Sequence, residues 1–363
     1  MTSPSIPARH TRWVQVVTVL MLCLLSAVTE AKPWRLVTWL RPFDYSSPTR
    51  ILDYSPLTRS TRAWRLCVSY PHMKDAYWLS VNFGMVEQAR KTKLGFNLVE
   101  AGGYPNLARQ IAQIKACTGP GVDALIVGTV SFEGLTPTLV DIARRIPVIA
   151  TVNDIADAGV TAKTGVSWTT MGAVVGEYLT QLHPRGSPVV KVAWFPGPKG
   201  AGWVPFVDKG FRQAAARGAS EVVITKWGDT GKEEQRTLVQ EALESGLSFD
   251  YIVGNALAAE AAVSLLRAGG LSDRIGILST YLTHAVYRGI KRGRIIAAPT
   301  DSPVMQGRIS IDQALRILEG KSYLKHAGPE IFMVDSANVN TLNPDASLAP
   351  PTFLPTFRVD PGR

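Results

Sequence analysis

Short apolar runs alternate with longer amphipathic segments from residue 64 to residue 320. The apolar runs have the length of buried strands, about four to eight residues, and the segments between them repeat apolar positions at helical spacing. This alternation predicts βαβ units on parallel sheets. Predicted strands cover residues 64–71, 97–103, 123–130, 147–154, 191–197, 221–228, 251–256, 275–281 and 294–300. Predicted helices cover residues 85–96, 107–119, 135–146, 169–182, 207–218, 233–246, 257–270, 285–293 and 303–320.

The alternating series restarts after about residue 153. The restart predicts an α/β protein with two similar lobes in series, each built on its own sheet. Ligands of open parallel sheets bind outside the carboxyl ends of the strands. Two such lobes facing each other form a cleft there, so the residues that directly follow the strands are the candidate ligand contacts.

Five aromatic residues stand at the predicted strand-to-helix junctions. They are Tyr77, Trp78, Tyr104, Trp168 and Tyr281. Core aromatics fall within strands and on helix faces, so their repetition at junctions predicts a surface that faces a ligand. For any one ring, packing in the core or under a loop is the alternative. Aromatic faces attract cations and hold quaternary ammonium groups, so the set favours a small cationic or methylated ligand.

Polar candidates at the same junctions are few. Asp75, Asn153 and Asn255 follow predicted strands, and each is equally suited to cap the next helix. Aromatic rings also stack on sugars, which makes a sugar the rival ligand. A sugar site needs many fixed hydrogen-bonding groups, however, and these junctions are short of arginine and asparagine.

Known catalytic motifs are missing from the sequence. The five histidines have no HExxH spacing, the three cysteines form no CxxC pair, and no GxSxG elbow is present. The glycine-rich stretch FPGPKGAG lacks the Lys-Ser/Thr ending of a phosphate-binding loop. We therefore expect no enzymatic activity, no metal and no cofactor. The net charge of +10 is spread along the chain without a basic run, which argues against nucleic-acid binding.

The amino terminus has the organisation of a secretory signal peptide. Arg9 and Arg12 precede an apolar run, and the small residues Thr29 and Ala31 stand where a cleavage site requires them. The run is about 15 residues long, shorter than the ~20 apolar residues of a membrane span. We predict a signal peptide at residues 1–31 and a mature protein in the periplasm; an uncleaved anchor is the alternative.

The segments that flank the two lobes lack a periodic pattern. Residues 32–63 are rich in hydroxyl side chains and prolines, and we interpret them as an irregular arm. Residues 341–363 are interpreted as a proline-rich tail. Cys67 and Cys117 remain after removal of the signal peptide, an even number in an oxidising compartment. They form either a disulfide or two buried thiols, because sequence does not give the geometry that a disulfide requires.

The run RAWRLCVSYPHMKDAYWLSVNFGMVEQA, with LVEAGGY and RQIAQIKAC after it, resembles the TorT family of periplasmic binding proteins. The resemblance continues in GVSWTTMG, WFPGP, GNALAAEAA and STYLTHAVYRGIKRGRIIAAPTD, and covers roughly residues 62–320. It implies a type I periplasmic binding protein, with two Rossmann-like lobes around a central cleft and crossovers near residues 153, 281 and 301. The expected lobes are residues 64–152 plus 281–301, and residues 153–280 plus 302–340.

The resemblance also implies a ligand, trimethylamine N-oxide, and a partner, the periplasmic sensor domain of a TorS-type membrane histidine kinase. It implies a sensor that induces the trimethylamine-N-oxide respiratory system. The alternative is a solute-binding protein of an ABC transporter for sugars or other small molecules. The implied ligand cage consists of Trp78, Tyr104, Trp168 and Tyr281, with Tyr77 beside it and Asp75 close by.

Overall fold

The computed structural model describes residues 1–2 and 33–362. The predicted signal peptide therefore lies, apart from its first two residues, outside the described residues. Among the described residues, none of the helices combines the length and the apolar character that crossing a bilayer requires.

Two mixed sheets organise the described residues. The strands of the first sheet are β1 (Trp34–Trp39), β2 (Thr49–Tyr54), β3 (Arg65–Tyr70), β4 (Gly95–Glu100), β5 (Ala124–Val127), β6 (Val148–Thr151), β7 (Ala162–Thr164), β13 (His326–Gly328) and β15 (Arg358–Val359). Those of the second are β8 (Val190–Gly197), β9 (Ser220–Trp227), β10 (Tyr251–Gly254), β11 (Gly276–Ser279), β12 (Ala297–Thr300) and β14 (Phe332–Asp335). Their orders are β15-β4-β3-β5-β6-β7-β13-β1-β2 and β14-β12-β11-β10-β8-β9.

Except between β6 and β7, helices alternate with the strands from β3 to β13, and within each sheet they connect parallel strands. They are α1 (Ala76–Thr92), α2 (Leu107–Cys117), α3 (Thr136–Ala143), α4 (Trp168–Leu182), α5 (Val204–Ala215), α6 (Lys232–Leu243), α7 (Ala256–Ala268), α8 (His284–Lys291) and α9 (Pro303–Leu318). The first helix begins well before its predicted start at residue 85 because Asp75 caps it, accepting a hydrogen bond from the Trp78 N–H at 3.0 Å.

The division into lobes differs from the prediction. Strand β12 pairs with β11 and β14, so residues 297–300 belong to the second lobe, and β7 belongs to the first. Helix α9 packs against α1 in the first lobe. Two glycines permit this close approach: a Cβ on Gly84 would lie 1.9 Å from the Val304 oxygen, and one on Gly307 2.2 Å from the Val81 oxygen. Strand pairing and helix contact, rather than chain order, decide which lobe each element joins.

The crossings between the lobes follow from this pairing. The chain leaves the first sheet after residue 164, returns at 300–303, and crosses again between 328 and 332 and after 335. The predicted crossovers near residues 153 and 281 are wrong, because β7 still pairs with β6 and residue 281 lies between two elements of the second lobe.

The interpretation of residues 32–63 as an irregular arm is wrong for residues 34–54. These residues form an antiparallel hairpin, β1 with β2, that extends the first sheet through β13. Leu36 is fully buried in it, and the Trp34 ring stacks on Tyr54 at 5.9 Å. These two strands are not followed by helices and lie among prolines and hydroxyl residues, so the strand-helix alternation does not mark them.

The carboxyl-terminal segment is anchored although most of it is irregular. Asn82 on α1 exchanges two hydrogen bonds with the backbone of Thr356, at 3.0 and 2.9 Å. The Phe353 ring contacts Phe83 edge-on at 5.2 Å, and β15 pairs with β4. These contacts fix the tail against the first lobe.

Cys67 and Cys117 are joined in a disulfide that links β3 to the end of α2. Their Cα atoms are 5.7 Å apart, and the bond closes a loop with a sequence separation of 50 residues. The structure thus selects the disulfide from the two alternatives that the sequence leaves open.

A closed aromatic cage between the lobes

A small cavity lies where the carboxyl ends of strands from both sheets face each other. Its volume is about 10 Å³, roughly the space that one water molecule needs. Both lobes contribute to its wall, so its size depends on how far apart they stand. The lining residues are Asp75, Tyr77, Trp78, Tyr104, Asn153, Trp168, Trp203, Thr230 and Tyr281.

Six of the seven residues predicted as ligand contacts line this cavity. They are Asp75, Tyr77, Trp78, Tyr104, Trp168 and Tyr281. Asn255 is the exception and does not belong to the wall. It is fully buried and caps α7, accepting from the N–H groups of Leu257 and Ala258 at 3.1 Å while donating to the Phe195 oxygen. These hydrogen bonds show that Asn255 caps a helix, which is the alternative role that the sequence left open.

Trp203 was not among the predicted contacts, yet it connects the rings of the two lobes. Its ring centroid lies 5.1 Å from that of Trp168, 6.1 Å from Tyr281 and 6.3 Å from Tyr104. All six aromatic rings of the wall are at least nine-tenths buried. Trp203 follows β8, so the rule that identified the other junction aromatics also applies to it.

The first turn of α1 fixes two of the rings. The Tyr77 and Tyr281 rings meet edge-on at 5.3 Å, and Trp78 packs against Tyr70 at 4.6 Å. Gly128 leaves room for the Trp78 indole, since a Cβ there would lie 2.4 Å from its Cη2. The cap of α1 and this close approach together set the position of one side of the cage.

The polar groups of the wall differ in whether they already have partners. The Asn153 Nδ2 donates to the Tyr104 hydroxyl at 3.1 Å and to the Thr129 oxygen at 2.7 Å. The Trp168 Nε1 donates to the Val152 oxygen at 2.9 Å. The Trp203 Nε1 is buried near the Tyr104 hydroxyl but makes no well-aligned hydrogen bond among the described residues. A buried unpaired donor is costly, so this N–H is suited to an acceptor that enters the cavity.

Two carboxyl groups lie in or behind the wall. Burial raises the pKa of Asp75 above its ordinary value, even though it accepts backbone hydrogen bonds. Burial also raises the pKa of Asp301 to about 6, against hydrogen bonds from Tyr77 at 2.5 Å and Gln306 at 2.7 Å that favour its ionised form. Burial raises the pKa of Tyr77, Tyr104 and Tyr281, so their hydroxyls stay neutral.

Contacts beside the cavity bridge the two lobes directly. Lys74 after β3 forms an ion pair with Asp229 after β9, with Nζ and Oδ2 2.8 Å apart. The buried His72 Nε2 lies 3.1 Å from the Thr230 hydroxyl. Sequence periodicity does not single out any of these four residues, and the two pairs hold the lobes in a closed arrangement.

The chemistry available in the wall is that of a binding site. Six aromatic faces surround the space, and its polar features include the Asp75 carboxyl group and the Trp203 N–H. Among the described residues, no group of three or more histidine, cysteine, aspartate or glutamate side chains is placed to hold a metal. Such a wall suits a compact ligand with a positively charged, methylated centre and one acceptor.

Comparison with known proteins also indicates a binding protein. The profile of the periplasmic binding protein domain matches residues 66–322. Periplasmic protein TorT of Escherichia coli K12 is 40% identical over 301 residues, 82% of this chain and 86% of that protein.

Two solved structures extend the comparison. An ABC transporter solute-binding protein from Bradyrhizobium sp. BTAi1 with bound bis-tris is 48% identical, with a TM-score of 0.78 over 90% of this chain and 99% of that one. TorT in complex with the TorS sensor domain in the presence of trimethylamine N-oxide is 40% identical, with a TM-score of 0.74 over 81% of this chain and 99% of that one. These likenesses confirm the predicted fold class and the resemblance.

Proposed function

The chain belongs to the periplasmic binding protein family and to its TorT branch, and from this membership we propose that it binds trimethylamine N-oxide in the aromatic cage and signals to a TorS-type histidine kinase. The observation that supports this function best is the cage itself. Aromatic rings from both lobes enclose one small space, and TorT was solved with the TorS sensor domain in the presence of this N-oxide.

The ligand's chemistry matches the wall. Its nitrogen has a formal positive charge and three methyl groups, which the rings of Trp78, Trp168 and Tyr281 surround. Each desolvated ring contributes up to ~2 kcal/mol to holding such a cation. Together, several rings offset the several kcal/mol of translational and rotational freedom that the ligand loses. The bis-tris bound to the Bradyrhizobium protein is also an amine with three carbon substituents.

The oxygen of the ligand needs a donor. The Trp203 N–H is buried without a well-aligned hydrogen bond among the described residues and lies in the same wall, which makes it the first candidate. Asp75 is the second, because burial raises its pKa and favours the protonated, donating form. Trimethylamine lacks the oxygen and is protonated at neutral pH, so its affinity reports how well the rings hold a methylated cation without that contact.

Entry of the ligand requires the lobes to separate. The cavity holds about 10 Å³, too little for a molecule of five heavy atoms, while bridging contacts such as Lys74–Asp229 hold it closed. Ligand binding shifts the balance of open and closed forms by its difference in affinity for them. The kinase then responds to the closed form.

The protein acts outside the cytoplasm and performs no catalysis under this proposal. The amino-terminal segment is the signal peptide that exports it to the periplasm, where the mature chain begins near Lys32. Its function is that of a sensor in the induction of trimethylamine-N-oxide respiration.

Calorimetric titration of the mature protein tests the ligand. We expect saturable heat with trimethylamine N-oxide, weaker binding of trimethylamine and none of ribose. Trp78→Ala and Trp168→Ala should each abolish measurable binding while cooperative thermal unfolding persists. Unchanged affinity in both variants would rule out the cage as the binding site.

A second candidate function is that of a solute-binding protein for an ABC transporter. The 48% identical Bradyrhizobium protein, described as such, favours it. The two functions differ in their partner. Binding of the purified TorS sensor domain supports the sensor, whereas uptake of a solute that depends on this protein and a permease supports the transporter component.

A further inference from the structure

A groove on the outer surface crosses the boundary between the two lobes. Its volume is about 650 Å³, and it lies between α1 and α9 of the first lobe and α8 of the second. Phe83 and Arg308 form one wall, Tyr287 and His284 the other, and the tail around Leu348 closes one end. The surface combines apolar and polar side chains, and its width is set by the spacing of the lobes.

A cluster of arginines adjoins this groove. Arg267, Arg288, Arg292 and Arg294 line a pocket of about 510 Å³ on the second lobe, and Arg288 also lines the groove. All four are exposed, and none forms an ion pair within the described part of the chain. The acidic residue of the pocket wall, Glu260, is directed to Lys232 at 3.5 Å instead. Four arginines without an ion-pair partner outnumber the one acidic residue of the pocket wall and repel one another, so an acidic counterpart would bind here favourably.

Both walls of the groove are linked to the cage through short, rigid segments. Helix α1 holds Tyr77 in its first turn and Phe83 further along the same helix. Helix α8 begins at His284, just after the cage residue Tyr281, and is capped by Thr283. A change in lobe spacing at the cage therefore changes the width of the groove.

We propose that the groove and the adjoining arginine pocket, together the docking surface, bind an acidic and partly apolar segment of a protein partner. The partner's acidic side chains pair with Arg288, Arg292 and their neighbours, and its apolar side chains lie against Phe83 and Tyr287. Because the surface draws on both lobes, the partner binds one spacing of the lobes better than the other. The inference rests on the proposed function, which supplies the kinase sensor domain as that partner.

Charge reversal on the docking surface tests this inference. The double variant R288E/R292E and the mature wild-type protein are titrated with purified TorS sensor domain, with and without trimethylamine N-oxide. The matched control is R144E/R236E, which makes the same change of charge at two exposed arginines elsewhere. Calorimetry with the N-oxide on every variant checks that the cage is intact.

We expect the Kd of R288E/R292E for the sensor domain to rise at least about tenfold, with the control within about twofold of wild type. The wild-type affinity should also fall as salt is raised, because the arginines are exposed. Equal affinities for wild type and R288E/R292E would overturn the docking surface while leaving the proposed partner in place.

Two other outcomes have distinct meanings. If the wild-type protein binds the N-oxide but not the sensor domain, the partner of the proposed function is wrong and the docking surface falls with it. If R288E/R292E binds the sensor domain normally but loses binding to vesicles of phosphatidylglycerol and phosphatidylethanolamine, the arginines contact a membrane and the inference is overturned.

Discussion

Replacing Trp203 by phenylalanine tests how the cage recognises the oxygen of its ligand. The change keeps an aromatic ring in the wall but removes the indole N–H, which makes no well-aligned hydrogen bond among the described residues. If that N–H donates to the N-oxide oxygen, its loss removes a hydrogen bond to a charged group. Such a bond contributes about 1.5–3 kcal/mol, so Kd should rise by about 10- to 150-fold.

Trp168→Phe is the matched control, because it removes the same volume from the same wall. The Trp168 N–H already donates to the Val152 oxygen at 2.9 Å, so it is not available to the ligand. Trp168→Phe should therefore weaken binding less than Trp203→Phe does. It should also destabilise the free protein by about 1–3 kcal/mol, because it leaves a buried carbonyl unpaired.

The assay pairs calorimetric titration with denaturant unfolding of the free proteins. We expect Trp203→Phe to lose affinity for the N-oxide and to retain most of its stability. We expect Trp168→Phe to lose less affinity and more stability. Equal losses of affinity in the two variants would refute the donor role of Trp203, and the effect would then be one of ring size alone. Trimethylamine should bind wild type and Trp203→Phe similarly, since it has no oxygen to accept the bond.

Three further changes test other parts of the structure. The double variant C67A/C117A should have a free energy of unfolding about 4 kcal/mol lower than wild type, because the disulfide closes a loop with a sequence separation of 50 residues. Its affinity for the N-oxide should persist. A decrease of less than about 1 kcal/mol in denaturant unfolding would contradict this expectation. Burial raises the pKa of Asp301 from 3.8 to about 6, so its contribution to stability is full below the ordinary pKa and is lost as pH rises through about 6. Between about pH 4 and pH 7, the free energy of unfolding of wild type should therefore fall by up to about 3 kcal/mol relative to that of Asp301→Asn. Thermal unfolding at a series of pH values measures this difference, and parallel pH profiles of the two proteins would contradict the assignment. Lys74→Met removes the lobe-bridging ion pair with Asp229 and should weaken N-oxide binding about tenfold. X-ray scattering of this variant should give a larger radius of gyration. An unchanged radius and an unchanged Kd would show that the pair does not hold the lobes together.

Much of the site could be predicted from junction positions. Tyr77 and Trp78 follow a strand of the first sheet and Tyr281 a strand of the second, and the parallel strands of each sheet have their carboxyl ends at one edge. Trp203 obeys the same rule but stands six residues after the end of β8, beyond a glycine-rich loop, so its place at a junction is less evident. Asn255 also follows a strand, and only its hydrogen bonds distinguish a helix cap from a ligand contact.

The sequence by itself determined the alternation of strands and helices, the two-lobe α/β class and the collection of aromatic residues at one edge of each sheet. These properties depend on local periodicity and on the direction of parallel strands. Only the tertiary structure decided that residues 297–300 join the second lobe, that α9 returns to the first, and that residues 34–54 extend its sheet. It also decided which indole N–H lacks a well-aligned hydrogen bond among the described residues and which charges bridge the lobes. Those outcomes depend on contacts between residues far apart in the chain, which no local pattern encodes.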